Sequence, residues 1–470
     1  MNVKNLVLLP EALVAAAAVL VLLGGRLGWF KPARRRYLPA AVAAVAIVAL
    51  GVELWAGATM STYFAGGLVQ DRFALFAKAA VLLAVAIVLA VADWTAEDSM
   101  SIGLAMPLLA AFGVMVAASA GDLVALWAGL ELAAASGVVM VSLRRPDLAL
   151  RLVVTGGLAS SLLLIGLAFL YATVGTSDLT AMREVLFSGT PTTALAIPLF
   201  LAISGLALRA TLAPFHLAGI PASLGASPLG AGLVLGLVAA AAAVVAIKVA
   251  AVLTPIPSVY SAYLEVIAAV AMVGGGAAAL AVRSPRARMA YLAAGQIGWV
   301  AAGLVTHYRT GLGASLFLLG AFAVAATVGP AVMGRAEGGE PALAGMAVLR
   351  PARAAGLTLA ILSLAGAPPL AGFFGEFAVA AALAQSGHFG LLALGILGTL
   401  LSLAAAVGTL RLIYLQSPLE EARRGAALPV LTRLSTFGAV AFCIVIAAYG
   451  LLSNPILGLA DQGAEALGLR

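Results

Sequence analysis

Charge is scarce in this chain. Only 10% of its 470 residues are Asp, Glu, Lys or Arg, against 63% in the hydrophobic class, and the mean hydropathy is +1.13. A water-soluble domain carries about 25% charged residues, so that class is excluded and the bilayer must be the main solvent. Cysteine is scarcer still. The single Cys443 lies within an apolar run, which excludes internal disulfides and any all-cysteine iron–sulfur cluster carried by this chain alone. Polar linkers are also lacking, and no segment reads as a soluble domain.

What is present is a series of apolar runs. With about 20 residues needed per span, and with every backbone polar group in lipid needing an internal partner, helices are the economical reading. Windows of about 19 residues give about fourteen spans: 6–24, 37–57, 73–92, 101–119, 122–142, 149–173, 193–215, 227–253, 260–282, 287–306, 311–333, 354–382, 388–416 and 432–452. The first follows a lone Lys4 with no convincing small-residue cleavage site, and reads as a retained span rather than a signal peptide. The expectation is an all-α, multi-pass membrane protein forming one membrane domain, 1–470.

The formal charge of +7 is explained by topology. Eighteen basic residues fall in loops after odd-numbered spans: Arg26, Lys31, Arg34, Arg35, Arg36, Arg144, Arg145, Arg151, Arg283, Arg286, Arg288, Arg335, Arg350, Arg353, Arg411, Arg423, Arg424 and Arg433. Five fall on the opposite side, namely Lys4, Arg72, Arg183, Arg309 and Arg470. The positive-inside rule then turns both termini outward. Basic residues so scattered make no nucleic-acid footprint.

Two spans are interrupted. The seventh ends in "APFHLAGIP", with Pro214, and the twelfth contains "LAGAPPLAGFFGEF", with Pro368 and Pro369. Proline removes a helix donor, and paired broken segments point to inverted repeats around a polar path.

Charges inside spans cost at least ~2.5 to 3.5 kcal/mol and are functional candidates by default. Glu131 lies near the middle of span five, too short to reach either surface, and needs a partner or a proton. Arg209 lies five residues before Pro214 and stays charged at any physiological pH, so an ion pair with Glu131 is expected. His216, at the broken end of span seven, suits a proton relay at an entrance or a bond to a loop carbonyl. Lys248, in the second half of span eight, reads either as a buried relay or as a side chain snorkelling outward. Glu376 follows the break in span twelve and gets the same argument as Glu131. Lys78, Glu53 and Glu265 sit nearer span ends and read as interfacial anchors, whereas Glu11 is ambiguous.

With these residues laid out, the chain resembles a known family along nearly its whole length. "DRFALF", "LVALWAGLELAAASGVVM", "LRLVVTGGLASSLLLIG", "ALRATLAPFHL", "RARMAYLAAGQIGWVAAGL" and "LSLAGAPPLAGFFGEF" occur in the order found in the antiporter-like, proton-translocating membrane subunits of respiratory complex I (NADH:quinone oxidoreductase). The N-type branch is the most similar. The resemblance implies fourteen helices with two inverted five-helix repeats, helices 7 and 12 broken. It divides the chain into N-terminal helices 1–3 (1–100), a first repeat of helices 4–8 (101–253), a second of helices 9–13 (260–416), and a last helix with its tail (432–470).

It also implies outward proton movement in a cell inner membrane, coupled to quinone reduction in partner chains. Those partners would be other membrane subunits, further antiporter-like ones included, and membrane lipids. NADH, flavin, iron–sulfur clusters and quinone would reside in partner chains, with no cofactor or metal here. Residue by residue, Glu131 matches the family's span-five glutamate and Arg209 its partner lysine. Arg151 falls where lysine is frequent at the start of span six, and Glu376 occupies the charged site of span twelve. Two positions depart from the pattern: Ala239 or Ala240 stands where span eight should carry lysine, and Gln296 where span ten should carry histidine. A subunit that keeps the fold without pumping, or the equivalent chain of a membrane-bound hydrogenase or multisubunit cation/proton antiporter, are the rival expectations.

Overall fold

The computed structural model describes residues 7–30, 37–57, 59–94, 99–189, 193–334, 343–417 and 431–468. Lys4, Lys31, Arg34, Arg35, Arg36, Arg335, Arg423, Arg424 and Arg470 lie outside the described residues, as does the side chain of Arg433.

Helices begin where the sequence supplies caps. Asp71 accepts from the Ala74 amide (2.7 Å) to open α3, Arg72–Val91, and Asp122 accepts from the Ala125 amide (2.7 Å) to open α5, Leu123–Ser142. Such caps stabilise a helix by about 1 kcal/mol each. Before them come α1, Leu9–Arg26, α2, Leu38–Ala56, and a hairpin of β1, Ser61–Tyr63, with β2, Leu68–Gln70, in register Ser61 opposite Gln70. Between α3 and α5 runs α4, Met100–Ser119. The hairpin pins the α4–α5 turn: Gly121 donates its amide to the Gly67 carbonyl and accepts at its own carbonyl from the Leu179 amide (both 2.9 Å).

Next come α6, Pro146–Val174, the short α7, Leu179–Phe187, α8, Ala196–Arg209, and α9, Gly219–Gly225. The eighth expected span is α10, Pro228–Leu253, which contains a π turn over Leu233–Val238. Then follow α11, Ser261–Ala281, α12, Pro285–Leu304, α13, Arg309–Met333, α14, Pro351–Leu364, α15, Ala371–Gln385, α16, Phe389–Leu415, α17, Leu431–Leu451, and α18, Ser453–Ala466. Among the described residues eleven helices are long and apolar enough to cross a membrane, while α8, α14 and α15 are shorter apolar helices. α12, with Arg286 and Arg288 in its first turn, is a further 20-residue helix.

The bundle has a definite centre. α13 is buried along its whole apolar window and α10 along 94% of its own, whereas α6 is only 28% buried and turns its outer face to the surroundings. α13 packs on α3, α10, α12, α14, α15 and α18. It meets α10 at glycines: a Cβ at Gly232 would fall 2.1 Å from the Thr327 carbonyl oxygen, and one at Gly236 2.1 Å from Thr327 Oγ1. Small residues at this GxxxG spacing let two backbones approach in lipid, where no hydrophobic force drives helices together.

Two arginines near helix starts close the C-termini of other helices. Arg288 donates to the Ala279 and Val282 carbonyls at the end of α11, and Arg353 to the Val91 carbonyl at the end of α3 (3.0 Å). Cations here satisfy orphan carbonyls and oppose the negative end of the helix dipole.

Both expected interruptions are present, and they close in one way. After α8, Thr211 adopts φ 57°, Thr211 donates to the Leu208 carbonyl (3.4 Å) and Leu212 to the Ala207 carbonyl (3.0 Å). After α14, Gly366 adopts φ 74°, Gly366 donates to the Ser363 carbonyl (3.2 Å) and Ala367 to the Leu362 carbonyl (2.9 Å). Each is a Schellman termination, with proline three residues beyond the left-handed position.

Candidate proton-transfer site

Glu131 on α5 and Arg209 at the last turn of α8 meet, as their charges require. Arg209 Nη2 donates to both Glu131 carboxylate oxygens at 2.7 Å and to Ser160 Oγ of α6 at 2.5 Å. The Ser160 hydroxyl in turn donates to Glu131 Oε1. Gly156 makes room: a Cβ there would lie 2.9 Å from Arg209 Nη1. The guanidinium side chain is 9% exposed, yet that of Glu131 is 30% exposed. The expected midspan embedding of Glu131 is thus incomplete, because α5 and peripheral α6 leave an opening beside it.

Beneath the pair lies a cavity of about 30 Å³, lined among others by Thr155, Arg209, Thr211, Val234 and Val238. That is room for a water, and the two threonines offer it polar contacts. The cavity reaches the π turn of α10, immediately before Ala239. π turns recur at functional sites because they leave ladder groups unpaired; no apolar periodicity reveals one.

Lys248 is not at this centre. It lies ten residues beyond Val238, about 15 Å along the helix, and it does not snorkel: it is 3% exposed. Its ammonium donates to the Ala120 carbonyl in the α4–α5 turn (2.6 Å) and faces the Phe73 ring at 5.4 Å.

Glu376 lies in the second half, 6% exposed, against the break: a Cβ at Gly366 would fall 2.3 Å from its Oε2. Thr399 Oγ1 donates to that oxygen (2.6 Å) and accepts from Trp299 Nε1 (3.1 Å). Gln296 is in reach of Glu376; its amide nitrogen donates to the Ser363 carbonyl (2.7 Å), and its buried Oε1 has no partner among the described residues. His216 sets its ring edge against Tyr291 of α12, centroids 5.6 Å apart, with Nδ1 buried and without a partner among the described residues. Arg151 is exposed on the outer face of α6 and does not join these groups. Pro214, Pro368 and Pro369 are exposed at the breaks.

Lys78 and Glu53 are not interfacial anchors. Both are fully buried, because Gln70 of β2 and Glu11 of α1 supply polar partners that position in a span does not disclose. Glu265 remains half-buried near its helix start. Sequence reasoning also passed over His307, in the loop between α12 and α13. It hydrogen-bonds Tyr260 (3.1 Å), and burial, with His388 nearby, holds its imidazole down to about 4. Among the described residues, no group of three or more His, Cys, Asp or Glu is placed to hold a metal ion.

The model of the NADH:quinone oxidoreductase/Mrp antiporter transmembrane family matches residues 120–402. The chain belongs to that family. The match runs from the α4–α5 turn into α16 and takes in the Glu131–Arg209 pair, both breaks and Glu376. The NADH-quinone oxidoreductase subunit N of Granulibacter bethesdensis is 31% identical over 97% of this chain and 98% of its own. Among solved structures, a chain of respiratory complex I from Thermus thermophilus superposes with TM-score 0.80 at 24% identity, covering 96% of this chain and 99% of that one. A chain of the Mrp complex from Dietzia sp. gives 0.82 at 20% identity, covering 99% and 98%. The antiporter-like membrane fold is therefore common to this chain and to members of both kinds of assembly, and this family member is a multi-pass membrane protein.

Proposed function

We propose that this chain is the N-type membrane subunit of a complex I-like NADH:quinone oxidoreductase, a non-redox translocase subunit that moves protons outward while partner chains reduce quinone. The near full-length likeness to a subunit N relative supports the assignment. The observation that carries the transfer role is the Glu131–Arg209–Ser160 cluster beside a water-sized cavity. In this reading Glu131 carries the proton. Arg209 cannot, because guanidinium does not release its proton in proteins; it holds Glu131 and gates by moving toward or away from it. Lys248, His216 and Glu376 are further stations, with Arg151 and Gln296 secondary.

The opening beside Glu131 supports a neighbouring membrane subunit on the α5–α6 face, since lipid is a poor cover for a carboxylate. NADH, flavin, iron–sulfur clusters and quinone belong to partner chains. The same reading has fourteen helices, inverted repeats at 101–253 and 260–416 flanked by 1–100 and 432–470, and both termini outside a cell inner membrane. The matching Schellman ends of α8 and α14 support the repeats.

The test is proton pumping coupled to substrate oxidation in vesicles, comparing the native complex with Glu131→Gln after confirming assembly. Loss of pumping in an assembled complex is expected; unchanged pumping defeats the reading. One alternative has specific support. Alanines at 239 and 240, beside the π turn, and the fixed charge of Arg209 favour a subunit that keeps its slot without pumping, for which Glu131→Gln leaves pumping intact.

A further inference from the structure

A second charged cluster lies among the three N-terminal helices, apart from the Glu131–Arg209 pair and Glu376. Lys78 of α3 donates to Glu11 Oε1 of α1 and to Gln70 Oε1 of β2 at 2.5 Å. Gln70 Nε2 donates to Glu53 Oε1 of α2 at 2.7 Å and to the Gly57 carbonyl at 3.2 Å. Glu11 is 7% exposed, Gln70 2%, and Glu53 and Lys78 0%. Lys78 lies six residues into α3, about 9 Å along its axis.

The surroundings add few charges. Asp71 and Lys78 are within electrostatic reach of Lys248, and α4 contributes no titratable side chain. Arg72 turns away to Gln462 of α18 (2.8 Å). The acids of α18 lie elsewhere: Asp461 sits against Gly313, and Glu465 pairs with Arg309 at 3.2 Å. Asp122 and Asp178, beside Gly67 and Gly66 of the hairpin turn, are engaged as the caps of α5 and α7.

Three buried carboxyls, Glu11, Glu53 and Asp71, therefore face two buried ammoniums, Lys78 and Lys248. Asp71 is satisfied as a helix cap, but among the described residues Glu11 Oε2 and Glu53 Oε2 are buried with no donor. A buried unpaired charge costs several kcal/mol, and an ionised carboxylate oxygen without a donor adds to that cost. One proton brings the five groups to neutrality and removes the charge from one of the two carboxyls whose outer oxygen lacks a donor. Lys78 pairs with Glu11 and reaches Glu53 only through the Gln70 amide, so the proton falls to Glu53, the carboxyl that the ammonium does not pair directly.

We propose that Glu11, Gln70, Lys78 and Glu53 form a second proton-binding site, two carboxyls sharing one ammonium and one exchangeable proton. The site occupies the same end of the bundle as Lys248 and the α4–α5 turn, and it exchanges protons there during turnover. Its part in transfer rests on the function proposed above; the binding of the proton does not.

Infrared difference spectra of the purified intact complex test the binding. Glu53→Gln is expected to remove one protonated-carboxyl band at neutral pH. Glu11→Gln is expected to remove it as well, because the remaining carboxyl then pairs with Lys78. Lys78→Met is expected to double the band. If both glutamine variants lose only ionised-carboxylate bands, the site is overturned. Should one variant fail to assemble, the other decides alone.

Pumping in vesicles then tests the role, with Glu131→Gln measured alongside. Loss of the band together with at least a twofold fall in pumping for Glu53→Gln supports the proposal. Loss of the band with full pumping, where Glu131→Gln abolishes it, overturns the role in transfer. If Glu131→Gln also leaves pumping intact, it is the translocation reading that has failed, and the site stands or falls on the band.

Discussion

At the scale of residues, the chain spends its few buried charges in pairs and bridges. Arg209 reaches Glu131 and Ser160 together because Gly156 leaves the space for its guanidinium. An arginine fits this place as a fixed donor, and the same chemistry bars it from the carrier's role. Outside the spans, His307 is held neutral by burial beside Tyr260 and His388. Its folded-state value of about 4 lies below the ordinary 6.5, so between those values the unfolded chain binds the proton that the folded chain refuses. Stability is then fully present above pH 6.5 and falls as the pH drops toward 4. Thermal midpoints of the native protein and His307→Gln, measured across this window in lipid, are expected to diverge as acid is added, with the native protein losing more. Parallel curves would refute the assignment.

At the scale of elements, the two broken spans share a termination but not its side chain. Thr211 holds a left-handed backbone that costs a non-glycine residue about 1–2 kcal/mol, whereas Gly366 adopts its counterpart freely. Thr211→Gly is therefore expected to stabilise the protein by about 1 kcal/mol. Gly366→Ala is expected to destabilise it by at least about 1–2 kcal/mol, since its methyl would also meet the Glu376 carboxyl. Denaturation midpoints of the two variants read the signs directly; equal signs would mean that the breaks are not built alike. The prolines at 214, 368 and 369 announced both breaks, because a missing donor is legible in any sequence. The left-handed residue three positions earlier was legible only at Gly366, since threonine gives no hint of φ 57°.

At the scale of the molecule, α10 and α13 form the axis about which the other helices are arranged. Their contact depends on Gly232 and Gly236 against Thr327, where a Cβ at Gly236 would come within 2.5 Å of the Thr327 backbone nitrogen. Backbone cannot yield as a side-chain tip does, so Gly236→Val is expected to cost about 1–3 kcal/mol or more. The yield of assembled complex and its thermal midpoint should both fall; a variant with native values would show that the axis is not close-packed here.

Composition and apolar run length determined by themselves that this is a helical membrane protein, because lipid leaves unpaired backbone no alternative. They also determined where the two interruptions fall, and the cost of a charge in lipid singled out Glu131, Arg209 and Glu376. The pairing of Glu131 with Arg209 was legible from their charges, and packing past Gly156 fixed its geometry and added Ser160. The tertiary structure decided which other charges meet. Lys248 and Lys78 look alike in sequence, each a lysine inside an apolar run, yet neither reaches the surface, because a turn carbonyl meets one and Gln70 and Glu11 meet the other. Partners so distant along the chain leave no periodic trace, and burial with a partner rather than position within a span fixes what a charged side chain does.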